Sequence, residues 1–267
     1  MPFARNEDVK IYYSVEGEGY PLMIHHGLSG YPGSWRAAGY IEPLKEKHEL
    51  ILLNARGHGK SSKPHKPEDY SMKKMVGDAV AVLDHLGYEK AHFWGFSLGG
   101  RVGLATGKYA PDRFSALIIG GMGADEWDTE ASKNRRKEMI TFFSKGNEAI
   151  IKEMEETIGG GLSEQERRHF MELDTAAVTD IIKLNERLGY EEFLPKVTTP
   201  TLLYCGDKDY YYPGAKKCAE IMPNARLVSL PGLDHGDAFD RVDLVLPHVL
   251  SFLEEVERTR ERRKCLG

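Results

Sequence analysis

The chain is 267 residues long, 41% hydrophobic and 29% charged, which is enough apolar material to bury a core around a pocket and argues against long disordered stretches. Its formal net charge of −5 excludes the broad basic field on which nucleic-acid binding depends. No run of about 18 apolar residues occurs in it, so a membrane partner is not expected either.

The N-terminal segment from Met1 to Asp8 holds acidic residues where a secretory signal would hold an apolar run, and a cytoplasmic protein is expected. Val9 to Val15 alternates in polarity and is rich in Ile, Tyr and Val, as a strand should be, and Gly17 and Gly19 mark the turn after it. Leu22-Met23-Ile24-His25-His26-Gly27 is a short apolar run ending at glycine, the pattern of a strand covered on both faces. A helical period follows from Trp35 to Lys47, then a second buried run, Leu50 to Leu53, and a turn, Asn54 to Gly59. Helical spacing returns from Ser71 to Leu86, a third strand runs from Ala91 to Phe96, a helix from Leu98 to Tyr109, and a fourth buried strand from Ala116 to Gly120.

Between residues 124 and 195 the alternation stops. Met139, Phe142, Phe143, Ile150, Ile151, Met154 and Ile158 fall at helical intervals, Gly159-Gly160-Gly161 interrupts them, and Phe170, Leu173, Val178, Ile181, Ile182 and Leu184 follow. This stretch reads as an inserted helical lid, with residues 1–123 and 196–267 as the core around it. Strands resume at Thr201 to Cys205 and Ala225 to Leu230, with a helix from Gly214 to Ile221 between them and a C-terminal helix presenting Val242, Val245, Val249, Phe252, Leu253 and Val256 on one face. Arg258, Arg260, Arg262, Arg263 and Lys264 read as a solvated last turn whose cations suit the negative end of the helix dipole. Cys205, Cys218 and Cys265 are odd in number and lack C-x-x-C spacing, so neither a disulfide framework nor a metal site is expected. Strands alternating with helices give an α/β fold with a mainly parallel sheet covered by helices on both faces.

Gly95-Phe96-Ser97-Leu98-Gly99 matches G-x-S-x-G between a strand and a helix, a turn sharp enough to expose Ser97 at the C-terminal edge of the sheet. A serine hydroxyl is a poor nucleophile until a base takes its proton. His235, in the loop Pro231 to Gly236 after the last strand, is placed to be that base. The imidazole in turn needs a carboxylate to hold its tautomer. Asp209 in Cys205-Gly206-Asp207-Lys208-Asp209 is the leading candidate, Asp207 reads as a turn residue, and Asp125 is a more distant alternative. The order Ser, Asp, His is that of α/β hydrolases. Backbone N–H groups of Leu98 and Leu28 are expected to form the oxyanion hole, with Gly27 permitting close approach. His26 then reads as a scaffold for that loop and His25 as a satisfied core residue. Trp35, Phe142, Phe143 and Tyr210 are candidate substrate contacts, with Trp127, Met139, Phe170, Tyr211 and Tyr212 also near the predicted pocket or lid.

On His26-Gly27, Trp35, Arg56-Gly57-His58-Gly59-Lys60-Ser61, Gly95 to Gly100, Gly206 to Asp209 and His235, the chain resembles the α/β-hydrolase superfamily over nearly its whole length. It looks most like the small lidded esterases, enol-lactonases and carbon–carbon bond hydrolases of that superfamily. Where the family commonly has Asp, this chain has Asn54, a departure confined to a structural turn. Related haloalkane dehalogenases and epoxide hydrolases place Asp at the nucleophile position, so Ser97 disfavours those activities, whereas cofactor-free haloperoxidase-like relatives do use Ser. The expected reaction is hydrolysis of a carboxylic ester or lactone through an acyl-enzyme on Ser97, with a small-molecule substrate and no metal or cofactor required. Cleavage of a C–C bond in a β-diketone-like acid is the enzymatic alternative. A ligand receptor that has lost turnover is the alternative from another class. The oligomeric state stays open, a homodimer included.

Overall fold

The apolar runs pair into one eight-stranded sheet in a computed structural model that describes residues 2–124, 129–184 and 186–266. The strands are β1 (Phe3–Asn6), β2 (Val9–Glu16), β3 (Tyr20–His25), β4 (His48–Leu53), β5 (Ala91–Phe96), β6 (Phe114–Gly120), β7 (Thr201–Gly206) and β8 (Ala225–Leu230). Their order is β1-β2-β4-β3-β5-β6-β7-β8. The β1–β2 and β2–β4 pairs are antiparallel, and every pair from β4 through β8 is parallel. Strand β1 carries little periodicity of its own; its register, Phe3 opposite Tyr12 and Asn6 opposite Val9, comes from β2.

Residues on successive positions enter opposite cores, as a period of two requires. Met23, Ile51, Phe93, Ile119 and Leu203 face one layer, built with the helices at Met72–Leu86 and Leu98–Tyr109. Leu22, Ile24, Leu50, Trp94, Ile118 and Leu202 face the other. Phe93 and Ile118 are fully buried, each contributing roughly 1.5–3 kcal/mol. This two-sided burial is what makes the parallel strands read as unbroken apolar runs.

The region from Trp35 to Lys47 is two short helices rather than one, α1 (Pro32–Ala37) and α2 (Ile41–Lys45). Gly39, at φ +93°, turns the chain between them. Next come α3 (Met72–Leu86) and α4 (Leu98–Tyr109). Between β6 and β7 lie α5 (Glu130–Phe143), α6 (Asn147–Ile158), α7 (Glu164–Met171), α8 (Thr175–Leu184) and the single turn α9 (Tyr190–Phe193). Thr129 caps α5 by accepting from the Ser132 N–H, and Ser163 with Glu166 forms a capping box on α7. Phe143, Ile150, Leu173, Val178 and Ile182 give this helical insert its own apolar cluster, and Leu28 of the sheet edge packs against it.

After β7 the chain forms α10 (Tyr212–Ile221), then α11 (His235–Asp240) and α12 (Val242–Leu266). Arg260 does not simply face solvent: its guanidinium lies 3.8 Å from the Tyr20 ring centroid. Cys205 and Cys218 are buried and form no disulfide. Among the described residues no helix is long and apolar enough to cross a membrane.

Candidate active site

Strands β5, β7 and β8 are parallel and in register, so the segments leaving their C-terminal ends emerge along one edge of the sheet. Ser97 sits where β5 turns into α4, with φ +55° and ψ −115°, a conformation that costs a non-glycine residue about 1–3 kcal/mol. Two backbone bonds hold it: the Ser97 N–H donates to the Gly120 carbonyl at 2.8 Å, and the Arg101 N–H donates to the Ser97 carbonyl at 2.9 Å. The flanking glycines are a packing requirement. A Cβ on Gly95 would overlap the Gly99 carbonyl, and one on Gly99 would overlap the His25 carbonyl.

Asp209 and His235 meet from separate loops, His235 Nδ1–H donating to Asp209 Oδ2 at 2.7 Å. The Asp209 side chain is wholly buried, whereas that of His235 is 29% exposed. Burial pushes the Asp209 carboxyl up, but the hydrogen bond and charge of His235, the Tyr211 N–H and the Cys205 thiol outweigh it and hold the group below its ordinary value. Asp207 accepts from the Gly232 N–H at 2.8 Å, so it pins the loop that carries His235 instead of capping its own turn. His235 itself, expected in that loop, is the first residue of α11, because the Asp234 carboxylate accepts from the Asp237 N–H and caps a helix there. Its imidazole lies 4.9 Å from the Phe96 ring, centroid to centroid, and a Cβ on Gly121 would come within 3.0 Å of its Cε1. The Ser97 hydroxyl makes no hydrogen bond among the described residues. Asp125, the more distant carboxylate candidate, and Trp127 lie outside the described residues.

The loop after β3 leans on Ser97: a Cβ on Gly27 would stand 3.2 Å from Ser97 Cβ. Buried histidines hold this loop. His26 donates from Nδ1 to the Gly27 carbonyl at 2.8 Å and accepts at Nε2 from the Ala55 N–H at 3.1 Å. His58 donates from Nδ1 to the Arg56 carbonyl at 3.1 Å and accepts at Nε2 from the Ser29 N–H at 3.0 Å. Only the neutral imidazole can do both. Burial accordingly lowers His25 and His58 to about 4 and His26 well below its ordinary value. From the insert, His169 Nε2 donates to the Ser29 carbonyl at 2.7 Å while its ring stacks on Tyr31. Asn54, the departure in the neighbouring turn, accepts from the Lys60 N–H and lies where a Cβ on Gly59 would clash.

A cavity of about 90 Å³ opens beside Ser97, with Leu28, Leu98, Met122, Tyr210 and Tyr211 in its wall. Leu98 is the first residue of α4, where backbone N–H groups have no partner within the helix. Trp35 does not reach the cavity. It is fully buried under the sheet, with its ring edge-on to Tyr40, Trp94 and Phe239. Phe143 lies in the apolar cluster of the insert, and Phe142 borders an outer groove with Lys137, Lys145 and Glu153. Three wall residues that apolar patterning does not pick out are Arg101, Arg135 and Arg136. On α5, Ser132, Arg135, Arg136 and Met139 fall at i, i+3, i+4 and i+7, a single helical face. Among the described residues no group of three His, Cys, Asp or Glu side chains is arranged to hold a metal ion.

A family model described as alpha/beta hydrolase fold matches residues 20–242. The protein named "Putative carbamate hydrolase RutD" from Azorhizobium caulinodans is 27% identical, over 97% of this chain and 100% of its own length. A non-heme haloperoxidase from Rhodococcus erythropolis is also 27% identical, over 95% of this chain and 100% of its own. An esterase from Exiguobacterium antarcticum has the same fold, with a TM-score of 0.79 at 22% identity, covering 94% of this chain and 98% of that one.

Proposed function

The chain belongs to the α/β-hydrolase fold family, and we propose that it is a serine hydrolase acting on a carboxylic ester or lactone, with Ser97 as nucleophile, His235 as base and Asp209 as the carboxylate behind it. The observation that carries this reading is the 2.7 Å bond from His235 Nδ1 to buried Asp209, next to a serine held at φ +55°. With Nδ1–H committed to Asp209, Nε2 carries the lone pair that can accept the Ser97 proton.

Ser97 Oγ attacks the acyl carbon as His235 takes its proton, and the oxygen that becomes negative is met by the Leu28 and Leu98 N–H groups. Removing one such donor typically costs about 10²–10³ in rate, which is why a rigid loop at residues 26–29 matters. His235 then returns the proton to the leaving alkoxide, and water repeats the sequence on the acyl-enzyme to release acid. The hydrogen bond from Oγ to Nε2 forms as substrate settles, since catalytic contacts are commonly long in sites without ligand. The helical insert, residues 124–195, serves as the lid, since its helix α5 and Leu28 share the cavity wall. The name of one relative, "Putative carbamate hydrolase RutD", supports hydrolysis as the class of reaction.

A fluorophosphonate probe provides the test. It should add one covalent mass to the intact protein, located at Ser97 by peptide mapping and lost in Ser97→Ala. An unlabelled wild-type protein, or a label retained in Ser97→Ala, overturns the assignment.

A further inference from the structure

The cavity beside Ser97 has an unexpected charge for a pocket whose floor is apolar. Its wall contains three arginines, Arg101, Arg135 and Arg136, and no carboxylate among the described lining residues. Arg101 stands one helical turn after Ser97, about 6 Å along α4, and its guanidinium donates to the Glu186 carbonyl. Arg135 differs from four arginines of the outer surface that are engaged in ion pairs. Arg113, Arg167, Arg226 and Arg241 each reach a carboxylate, whereas Arg135, only half-exposed, reaches none among the described residues. Its guanidinium lies instead 4.8 Å from the Tyr210 ring centroid and 5.1 Å from that of Tyr211. Contact with ring faces steadies the cation and uses none of its N–H donors. The fork is therefore fixed in place beside the cavity with its hydrogen bonds still to be made. Tyr211 also lies 5.6 Å from the His235 ring, which ties this cation to the reacting end of the site through one aromatic side chain.

Building on the hydrolase reading above, we propose that the enzyme selects esters or lactones whose acyl part carries a free carboxylate, and that Arg135 is the side chain that binds it. A carboxylate offers two oxygens at the spacing of the guanidinium fork. Arg101 and Arg136 add positive potential to the same wall, and the apolar floor formed by Leu28, Leu98 and Met122 accommodates the methylenes between the ester and the acid. A neutral acyl chain of equal length would fill the same space and leave the arginine fork without a partner.

The test compares para-nitrophenyl hydrogen glutarate with para-nitrophenyl valerate, two substrates of similar length differing in the terminal carboxylate. Wild-type kcat/KM should favour the hydrogen glutarate ester at least tenfold, and the preference should shrink as salt is raised. In Arg135→Met that preference should collapse to within about threefold. Arg135→Lys, which retains the charge and loses the fork, should fall between. Arg167→Met, an insert arginine away from the cavity, should keep the wild-type ratio. A wild-type enzyme that prefers the valerate ester, or a preference that survives in Arg135→Met, overturns the proposal. Binding separates it from the hydrolase reading: in Ser97→Ala, glutarate should bind by calorimetry and lose at least tenfold affinity when Arg135→Met is added. Absent turnover with this binding intact would sink only the hydrolase reading. Turnover with no glutarate binding and no glutarate-ester preference would sink only the carboxylate reading.

Discussion

The loop that faces Ser97 is held by histidines that must stay neutral, and this makes acid stability a direct readout of the site's construction. His26 and His58 each accept a backbone N–H at Nε2 while donating from Nδ1, and protonation would set N–H against N–H. Burial holds His25 and His58 to about 4 and His26 well below its ordinary value, whereas the unfolded chain takes up each proton near pH 6.5. As pH falls from 6.5 toward 4 the unfolded state binds protons that the folded state does not, so stability falls; above 6.5 these groups contribute nothing either way. Each costs about 1.4 kcal/mol per pH unit in that window, so at about pH 5 each has cost about 2 kcal/mol and the three together about 6, against a total stability of about 5–15 kcal/mol. His92 and His169 are also lowered by burial and push the same way. His58→Gln isolates one proton, because the amide oxygen can still accept the Ser29 N–H and cannot titrate. Urea unfolding followed by tryptophan fluorescence should show the stability gap between variant and wild type moving by about 2 kcal/mol in the variant's favour between about pH 7 and pH 5. A gap independent of pH would mean that His58 carries its proton in the folded protein, and the neutral-scaffold argument would fail.

Two further substitutions probe the same loop. Gly27→Ala places a methyl 3.2 Å from Ser97 Cβ and 3.8 Å from its Oγ; a displacement of some tenths of an ångström should lower kcat/KM and the labelling rate of Ser97 by roughly 10–100-fold while leaving the thermal midpoint nearly unchanged, and wild-type kinetics would show that the loop does not touch the nucleophile. His169→Phe retains a ring to stack on Tyr31 but removes the donor to the Ser29 carbonyl; kcat should fall about tenfold, the worth of roughly 1.4 kcal/mol of loop positioning, with KM altered less, and an unchanged kcat would detach the insert from the oxyanion loop.

Much of this arrangement is legible because the chemistry demands residues that also punctuate the chain. Gly95 and Gly99 are fixed by backbone contacts that no side chain could share, so the nucleophile turn announces itself between an apolar strand and a helix. Asp209 follows the buried strand β7 and His235 the half-exposed edge strand β8, and parallel pairing forces the ends of both to one edge. Trp35 is different: an aromatic residue soon after the loop facing Ser97 could as well face substrate as the core, and the choice is made by Tyr40 nearby and by Trp94 and Phe239, which enclose it from two distant segments. Phe142 and Phe143 are adjacent on α5 and so cannot face the same way; one enters the insert's own cluster and the other an outer groove. The cavity-facing stripe of α5 is polar except at Met139, and a search for apolar periodicity finds Met139 but passes over Ser132, Arg135 and Arg136. A search for polar residues at i, i+3 and i+4 on a helix beside Ser97 would have found it.

The way the oxyanion loop is fastened also bears on how the two parts of the protein communicate. Ser29, at φ +57°, has its N–H held by His58 from the core and its carbonyl held by His169 from the insert. The carbonyl between Ser29 and Gly30 is thus shared with the insert, while the N–H of that same peptide stays within the loop, the Gly30 N–H donating to the Gly27 carbonyl at 3.0 Å, and the Leu28 N–H lies inside the turn so closed. A rigid movement of α7 that broke the His169 contact would remove the donor to the Ser29 carbonyl while the Ser29 and Gly30 N–H bonds still held the turn, with Ser29 in a backbone conformation that a non-glycine residue adopts at a cost. On the reading proposed above, the Leu28 donor would then lose one of the bonds that fix its direction before any residue around Ser97 had moved. On the proposed reading, in which the insert is the lid, its opening to admit substrate and the readiness of the site to react would be opposed by construction, and an open enzyme would cleave more slowly than one closed over its substrate.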